Sequence, residues 1–430
     1  MTTTQNRIIW LDVMRWVAMF GIVFCHAGDP FNFSTSAGTN PDFIWWGAIW
    51  GSLVRYSVPL FVMITGALLL PIHEETLGGF YKKRILRVLW PFLIWSMVYS
   101  LFPWLSSVLA PSAEAAKTAI ETTFPYSTFM NDGAGASTDL ISGLKLCAAS
   151  LISLHNLSCH VWYVFMLIGL YLYLPIFSAW VEKASLKQKY VFLGIWGISL
   201  LLPYAREFLA PATPLGLILG ECDWNAFGTL YYFAGFNGYL LLGHVLRERF
   251  TKSPAPFAKI LAWGVPAIAI GLVATFLGFL WVRAVGAVDK PEVFTALANK
   301  NGICAWICSL AQGADAGTIA HFQCGPMVEL FWQFCSLPVA LVSAGTFAII
   351  QHIRVPAGHF ANFLATLAKI GFGFYLVHYL YIGVGFATAV KIGVPVWAQT
   401  PVCAVITFAL TYCTVYIFYK ILPCRKIIFG

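Results

Sequence analysis

Apolar runs of about 18 to 25 residues recur along the whole chain, each long enough to cross a ~30 Å hydrocarbon core as a helix. They fall at roughly 8–28, 50–70, 85–105, 161–181, 190–207, 227–246, 260–281, 328–350, 363–384 and 398–422. The pattern predicts an all-α polytopic membrane protein with about ten transmembrane helices and both termini on one side. A transmembrane β-barrel would show alternating segments of about ten residues instead. The runs recur along the whole of 1–430, and one transmembrane domain with no appended soluble domain is expected.

Composition narrows the function classes. Hydrophobic residues make 59% of the chain and charged residues 10%, where a soluble domain carries roughly 25% charged residues. That is too few to coat a globular surface, which excludes a soluble enzyme, a disordered tail and a nucleic-acid binder. The expected surroundings are a lipid bilayer. The net charge of +8 is explained by its placement. Seventeen cations, among them Lys82, Lys83, Arg84, Arg87, Lys183, Lys187, Lys189 and Arg247, fall on one side of the predicted spans, and seven, including Lys117, Arg283 and Lys391, on the other. The positive-inside bias then puts both termini in the cytoplasm. Asp12 and Arg15 interrupt the first run and no small-residue cleavage site follows it, so the first helix is expected to stay in the protein.

The eleven cysteines show no metal-ligand spacing, and no metal is expected. Cys147, Cys159, Cys222, Cys304, Cys308 and Cys324 fall on the predicted outer side, where disulfides are chemically allowed. Three outer segments, roughly 29–49, 106–159 and 282–327, are long and mixed in character, while the cytoplasmic connections are short and basic. Long loops of this kind usually carry function.

The informative residues are ionisable groups placed where lipid should be, because intramembrane charge is costly. Asp12, Arg15 and His26 interrupt the first span. Eleven residues separate Arg15 from His26, which leaves them about 20° apart around a helix and about 16 Å apart along it. Asp12, three residues before Arg15, can neutralise and orient the guanidinium. The competing account is that Arg15 snorkels to the headgroups and His26 sits in the interface. Arg84 and Arg87 are neighbours on one helical face at the basic start of the third span, and guanidinium forks suit bidentate phosphate contacts. Alone they are a positive-inside anchor. With Arg15 entering from the same side, they form a potential site for a phosphate-bearing cofactor.

These residues resemble the acyltransferase-3 membrane acyltransferases, over nearly the whole chain. Arg15 and His26 match the family's Arg-x10-His signature, and Arg84-x-x-Arg87 its Arg-x-x-Arg motif. His160-Val161-Trp162-Tyr163 resembles His-x-Trp-Phe, and Gly373-Phe374-Tyr375-Leu376-Val377-His378 looks like the closing Ile-Tyr-Leu-x-His helix. The stretch from Arg55 to Gly66 is most similar to the branch that O-acetylates enterobacterial common antigen. Tyr163 stands in place of the usual Phe, and Gly371 and Gly373 occupy a segment that usually carries Ser.

The resemblance implies a multi-pass protein of the bacterial inner membrane, with 1–430 as one transmembrane domain and no appended soluble domain. It would move an acyl group, acetyl foremost, from cytosolic acetyl-CoA to a sugar hydroxyl of a membrane-associated glycan on the outer side. Arg84, Arg87 and Arg15 would hold the coenzyme's phosphates. His26, backed by Arg15 and Asp12, would be the general base or a transiently acylated nucleophile. Arg55, His160, Trp162, Tyr375 and His378 are candidates for the acceptor, although Trp162 also fits an interfacial belt and Tyr375 with His378 a hydrogen-bonded core pair. Glu329 reads as an acid favoured by its helix start, and Asp223 as a solvated loop acid. A flippase for a lipid-linked sugar would share the intramembrane Arg and His and the long outer loops, but it has no use for a coenzyme-binding pair.

Overall fold

The computed structural model describes residues 8–33, 37–73, 76–124, 137–154, 156–209, 228–323 and 325–430. All regular structure among them is helical. Among the described residues nine stretches are long and apolar enough to span a bilayer: Ile9–Phe33, Pro41–Leu69, Leu77–Leu109, Leu157–Lys183, Leu186–Phe208, Phe257–Val285, Leu330–Ile350, His359–Val377 and Val396–Ile421. The protein is a polytopic α-helical membrane protein. The expected crossing at 227–246 is replaced by a 3-10 turn, Tyr231–Phe233, and a 16-residue helix, Asn237–Lys252. Sixteen residues rise only about 24 Å, short of a hydrocarbon core. The first span runs beyond its expected end at 28, because a further helical turn, Asp29–Phe33, follows Ile9–Ala27.

Local chemistry accounts for the element boundaries. Thr76 caps the 33-residue helix Leu77–Leu109 by accepting the Gly79 amide at 3.2 Å. Ser185 and Gln188 form a reciprocal capping box at the start of Leu186–Ser199, satisfying donors that a helix start leaves open. Asp139 caps Leu140–Ala149 through the Ser142 amide at 2.8 Å.

The chain divides into two compact units. The first comprises Met1–Gly21, Ala48–His73 and Ile176–Ala365. Within it, helix Ser57–Leu69 crosses Asn237–Lys252 at glycines. A Cβ on Gly66 would lie 1.9 Å from the Leu240 carbonyl oxygen, and one on Gly243 2.1 Å from that of Met63. Small residues let helix backbones meet this closely, as in membrane helix pairs generally. Lys189, expected on the basic face, is buried here: its Nζ donates to Glu248 at 3.1 Å and to His244 Nε2 at 3.1 Å.

The second unit comprises Ile22–Gly47, Glu74–Pro175 and Thr366–Gly430. Leu77–Leu109 packs there against Ala113–Thr123, Leu140–Ala149 and the C-terminal turn Arg425–Phe429. Gly373 gives the Phe429 ring room, since a Cβ would lie 2.6 Å from it. Tyr379–Lys391 packs against Val396–Ile421 and against Ala113–Thr123. The expected span at 363–384 is divided at His378, where His359–Val377 gives way to Tyr379–Lys391.

Among the described residues Cys147, Cys159, Cys304 and Cys308 carry free thiols, so the outer-side disulfides that compartment chemistry allows are not made by these four. Cys222, Cys324 and Asp223 lie outside the described residues.

Candidate functional site

Three imidazoles meet in the second unit, delivered by three distant chain segments. His26 arrives at the end of the first helix, His160 in the turn Asn156–Val161, and His378 at the junction after His359–Val377. The His26 and His378 rings are 5.4 Å apart, as are those of His160 and His378. Tyr379 ties the group together: its ring stacks on His160 at 4.6 Å and meets His26 edge-on at 5.3 Å. Tyr99 closes the far side of His160 at 5.0 Å, and its hydroxyl donates to the Leu376 carbonyl at 2.6 Å.

The tautomers follow from the partners. His26 Nδ1 lies 2.8 Å from Asp29 Oδ2, and a carboxylate accepts only. Nδ1 therefore carries the proton in the neutral ring, leaving the Nε2 lone pair for a substrate. His378 Nδ1 donates in the same way to the Tyr375 carbonyl. Its Nε2 is buried and has no hydrogen-bond partner among the described residues, so a second acceptor nitrogen stands 5.4 Å, ring to ring, from His26. His160 and His378 are buried, whereas the His26 side chain keeps 21% of its exposure and can be approached.

The expected acceptor residues separate in their roles. Tyr375 is buried, and its hydroxyl donates to the His160 carbonyl. It braces the turn that carries His160, so this hydroxyl is committed to the backbone. Trp162 is half-buried beside Tyr163, ring to ring 6.3 Å. Cys159, expected on an outer loop, donates its thiol to the Tyr379 hydroxyl at 3.2 Å.

Arg84 and Arg87 belong to the same unit, on the first turns of Leu77–Leu109. Arg84 is half-buried and Arg87 exposed. Arg84 Nε is buried with no hydrogen bond among the described residues, and Arg87 spends its Nε on the Gly430 carbonyl at 3.3 Å. The outer faces of both guanidinium groups remain suited to an anion.

Arg15, Asp12 and Arg55 lie in the first unit. Arg15 Nη1 meets Asp12 Oδ1 at 2.7 Å with Asp12 buried, as the i, i+3 spacing predicts. Arg15 and His26 sit on one unbroken helix, Ile9–Ala27. Arg55 is buried, 4.2 Å over the Trp332 ring, and bonds Glu329 at 2.9 Å. Glu329 is thus an ion-pair partner and not merely an acid at a helix start. Trp332 stacks on Phe279 at 3.6 Å, and Arg283, expected as a face cation, lies 5.3 Å from the Phe279 ring.

Sequence reasoning missed Asp29, Tyr99 and Tyr379. The His26-x-x-Asp29 spacing was available as a signal, but ending the first span at 28 left Asp29 in a loop. Tyr379 adjoins a motif residue, and its part emerges only when the segments are folded together.

A family model described as an acyltransferase domain matches residues 8–419. A search of curated proteins and a search of solved structures each return no match. A match over nearly the whole length means that the chain belongs to the acyltransferase-3 family.

Proposed function

We propose that this membrane acyltransferase takes an acetyl group from acetyl-CoA and passes it to a sugar hydroxyl of a membrane-associated glycan, with His26 as general base. The observation that carries the reading is the His26–Asp29 bond at 2.8 Å. A carboxylate on Nδ1 fixes the tautomer that leaves Nε2 unprotonated, and it stabilises the imidazolium formed during proton removal. The hydroxyl would give its proton to His26 Nε2 while its oxygen attacks the thioester carbonyl. The C–S bond would then break, and the thiolate would recover the proton. His378 Nε2, an acceptor within the same cluster, would hold a neighbouring donor of the acceptor.

Arg84 and Arg87 would take the coenzyme's phosphates from the cytoplasmic side. Arg55, His160 and Trp162 remain candidates for contact with the glycan, and the bacterial inner membrane is the compartment this chemistry suits. The similarity of the Arg55–Gly66 stretch to the branch acting on enterobacterial common antigen makes a related surface glycan the acceptor to try first.

Calorimetry and thiol release with acetyl-CoA test the assignment. Wild type is expected to bind, Arg84→Ala/Arg87→Ala to lose binding, and His26→Ala to bind without releasing thiol. A folded wild type that ignores millimolar acetyl-CoA would overturn the reading in favour of a sugar-lipid transporter.

A further inference from the structure

The segment after Leu77–Leu109 turns back on it. Ala113–Thr123 buries a single stripe, Ala116 and Ile120, and continues it to Phe124, while Glu114, Lys117, Thr118 and Glu121 on the other faces are exposed. Tyr99 lies ten residues inside the end of the longer helix at Leu109, a depth of about 15 Å, and the returning helix is of matching length. It carries Phe124 to the level of the imidazoles. There Phe124 is 1% exposed, with ring centroids 5.0 Å from Phe102, 5.9 Å from Tyr99 and 6.4 Å from Tyr379. Tyr99 and Tyr379 both pack on His160, and Tyr379 also meets His26.

A membrane enzyme that activates a hydroxyl beside a thioester faces one competing nucleophile, water. The reaction differs only in whose O–H bond is broken: water would give its proton to His26 Nε2, attack the carbonyl and expel the thiolate, which recovers that proton, yielding free acid and free thiol. We propose that Phe124 is a guard against this hydrolysis. Wedged behind Tyr99 and Tyr379, it closes the buried side of the imidazole cluster to water, while the exposed edge of His26 is the side that the bound thioester covers, so transfer to the glycan wins by exclusion. Phe124 acts through the tyrosines and is a positioning residue. Its placement explains why so apolar a side chain ends a helix that is otherwise polar on most of its surface.

The inference rests on the acyl-transfer reading, and the two are separable by experiment. With acetyl-CoA alone and no sugar present, purified Phe124→Ala is expected to release thiol about tenfold faster than wild type, and Phe124→Leu to show a smaller rise. Phe124→Ala/His26→Gln should fall back to the wild-type rate, showing that the leak runs through the imidazole. Ile120→Ala, which thins the same buried stripe one turn before Phe124, serves as the structural control and should leave acceptor-free release unchanged. If Phe124→Ala fails to fold, the Leu variant decides. Unchanged acceptor-free release in a folded Phe124 variant overturns the guard, as does an equal rise in Ile120→Ala. Failure of wild type to bind acetyl-CoA overturns the acyl-transfer reading beneath it.

Discussion

Asp29 changes what His26 can do. An imidazole alone in a membrane helix is free to choose its tautomer, whereas one whose Nδ1 faces a carboxylate at 2.8 Å is held as a base. Asp29→Asn is therefore expected to cut turnover by about 10²–10⁴-fold, comparable to removal of the base itself, while acetyl-CoA binding measured by calorimetry stays near wild type. A binding loss parallel to the rate loss would assign Asp29 to the fold instead. His26 and His378 were legible because their motif spacing singled them out. Asp29 was not, since an acid one turn beyond an apolar run looks like a loop residue until the helix is seen to continue. Arg55 was legible as a candidate, but its partners Glu329 and Trp332 lie more than 270 residues away, and no local pattern links them.

Helix crossings and caps carry predictions of another kind. Gly66 closes the sequence stretch that suggested a branch of the family, and the structure gives it a packing reason, because the Leu240 carbonyl stands where a Cβ would go. Gly66→Ala or Gly243→Ala should destabilise by about 1–3 kcal/mol, read as a fall in Tm in detergent. Gly78→Ala, with open space at its Cβ, should leave Tm unchanged. At Asp139 the Ser137 hydroxyl and then the Ser142 donors hold the carboxyl well below the usual carboxylate range. A depressed folded value means that the cap's charge contributes above the unfolded pKa of about 3.9 and is lost as the carboxylate takes up a proton at lower pH. Hydrogen-exchange protection of 137–150, corrected for intrinsic rate, should hold at neutral pH and weaken on strong acidification. Asp139→Asn, an equally good cap that does not titrate, should flatten that dependence. The apolar runs announced nine of these helices well. They misjudged 227–246, because the run's hydrophobicity extends into a 3-10 turn that no periodicity marks.

The whole chain carries its charges with a bias that fixes a testable sidedness. With the eleven native cysteines replaced by Ser, Lys117→Cys should react with a membrane-impermeant maleimide in intact cells, and Lys187→Cys only after permeabilisation. The reverse result would invert the topology and with it the route from coenzyme to glycan. Each compact unit is built from three separated stretches of sequence, and this has a consequence for how the protein is made. About 350 residues separate His26 from His378, so at 5–20 residues per second a ribosome needs on the order of 20–70 s between them. During that interval the first helix sits in the bilayer with His26 and Asp29 but without the rings that later enclose them. The nascent chain must shelter this polar pair against the insertion machinery or its own early helices, and the chemistry becomes possible only when the last sixty residues arrive.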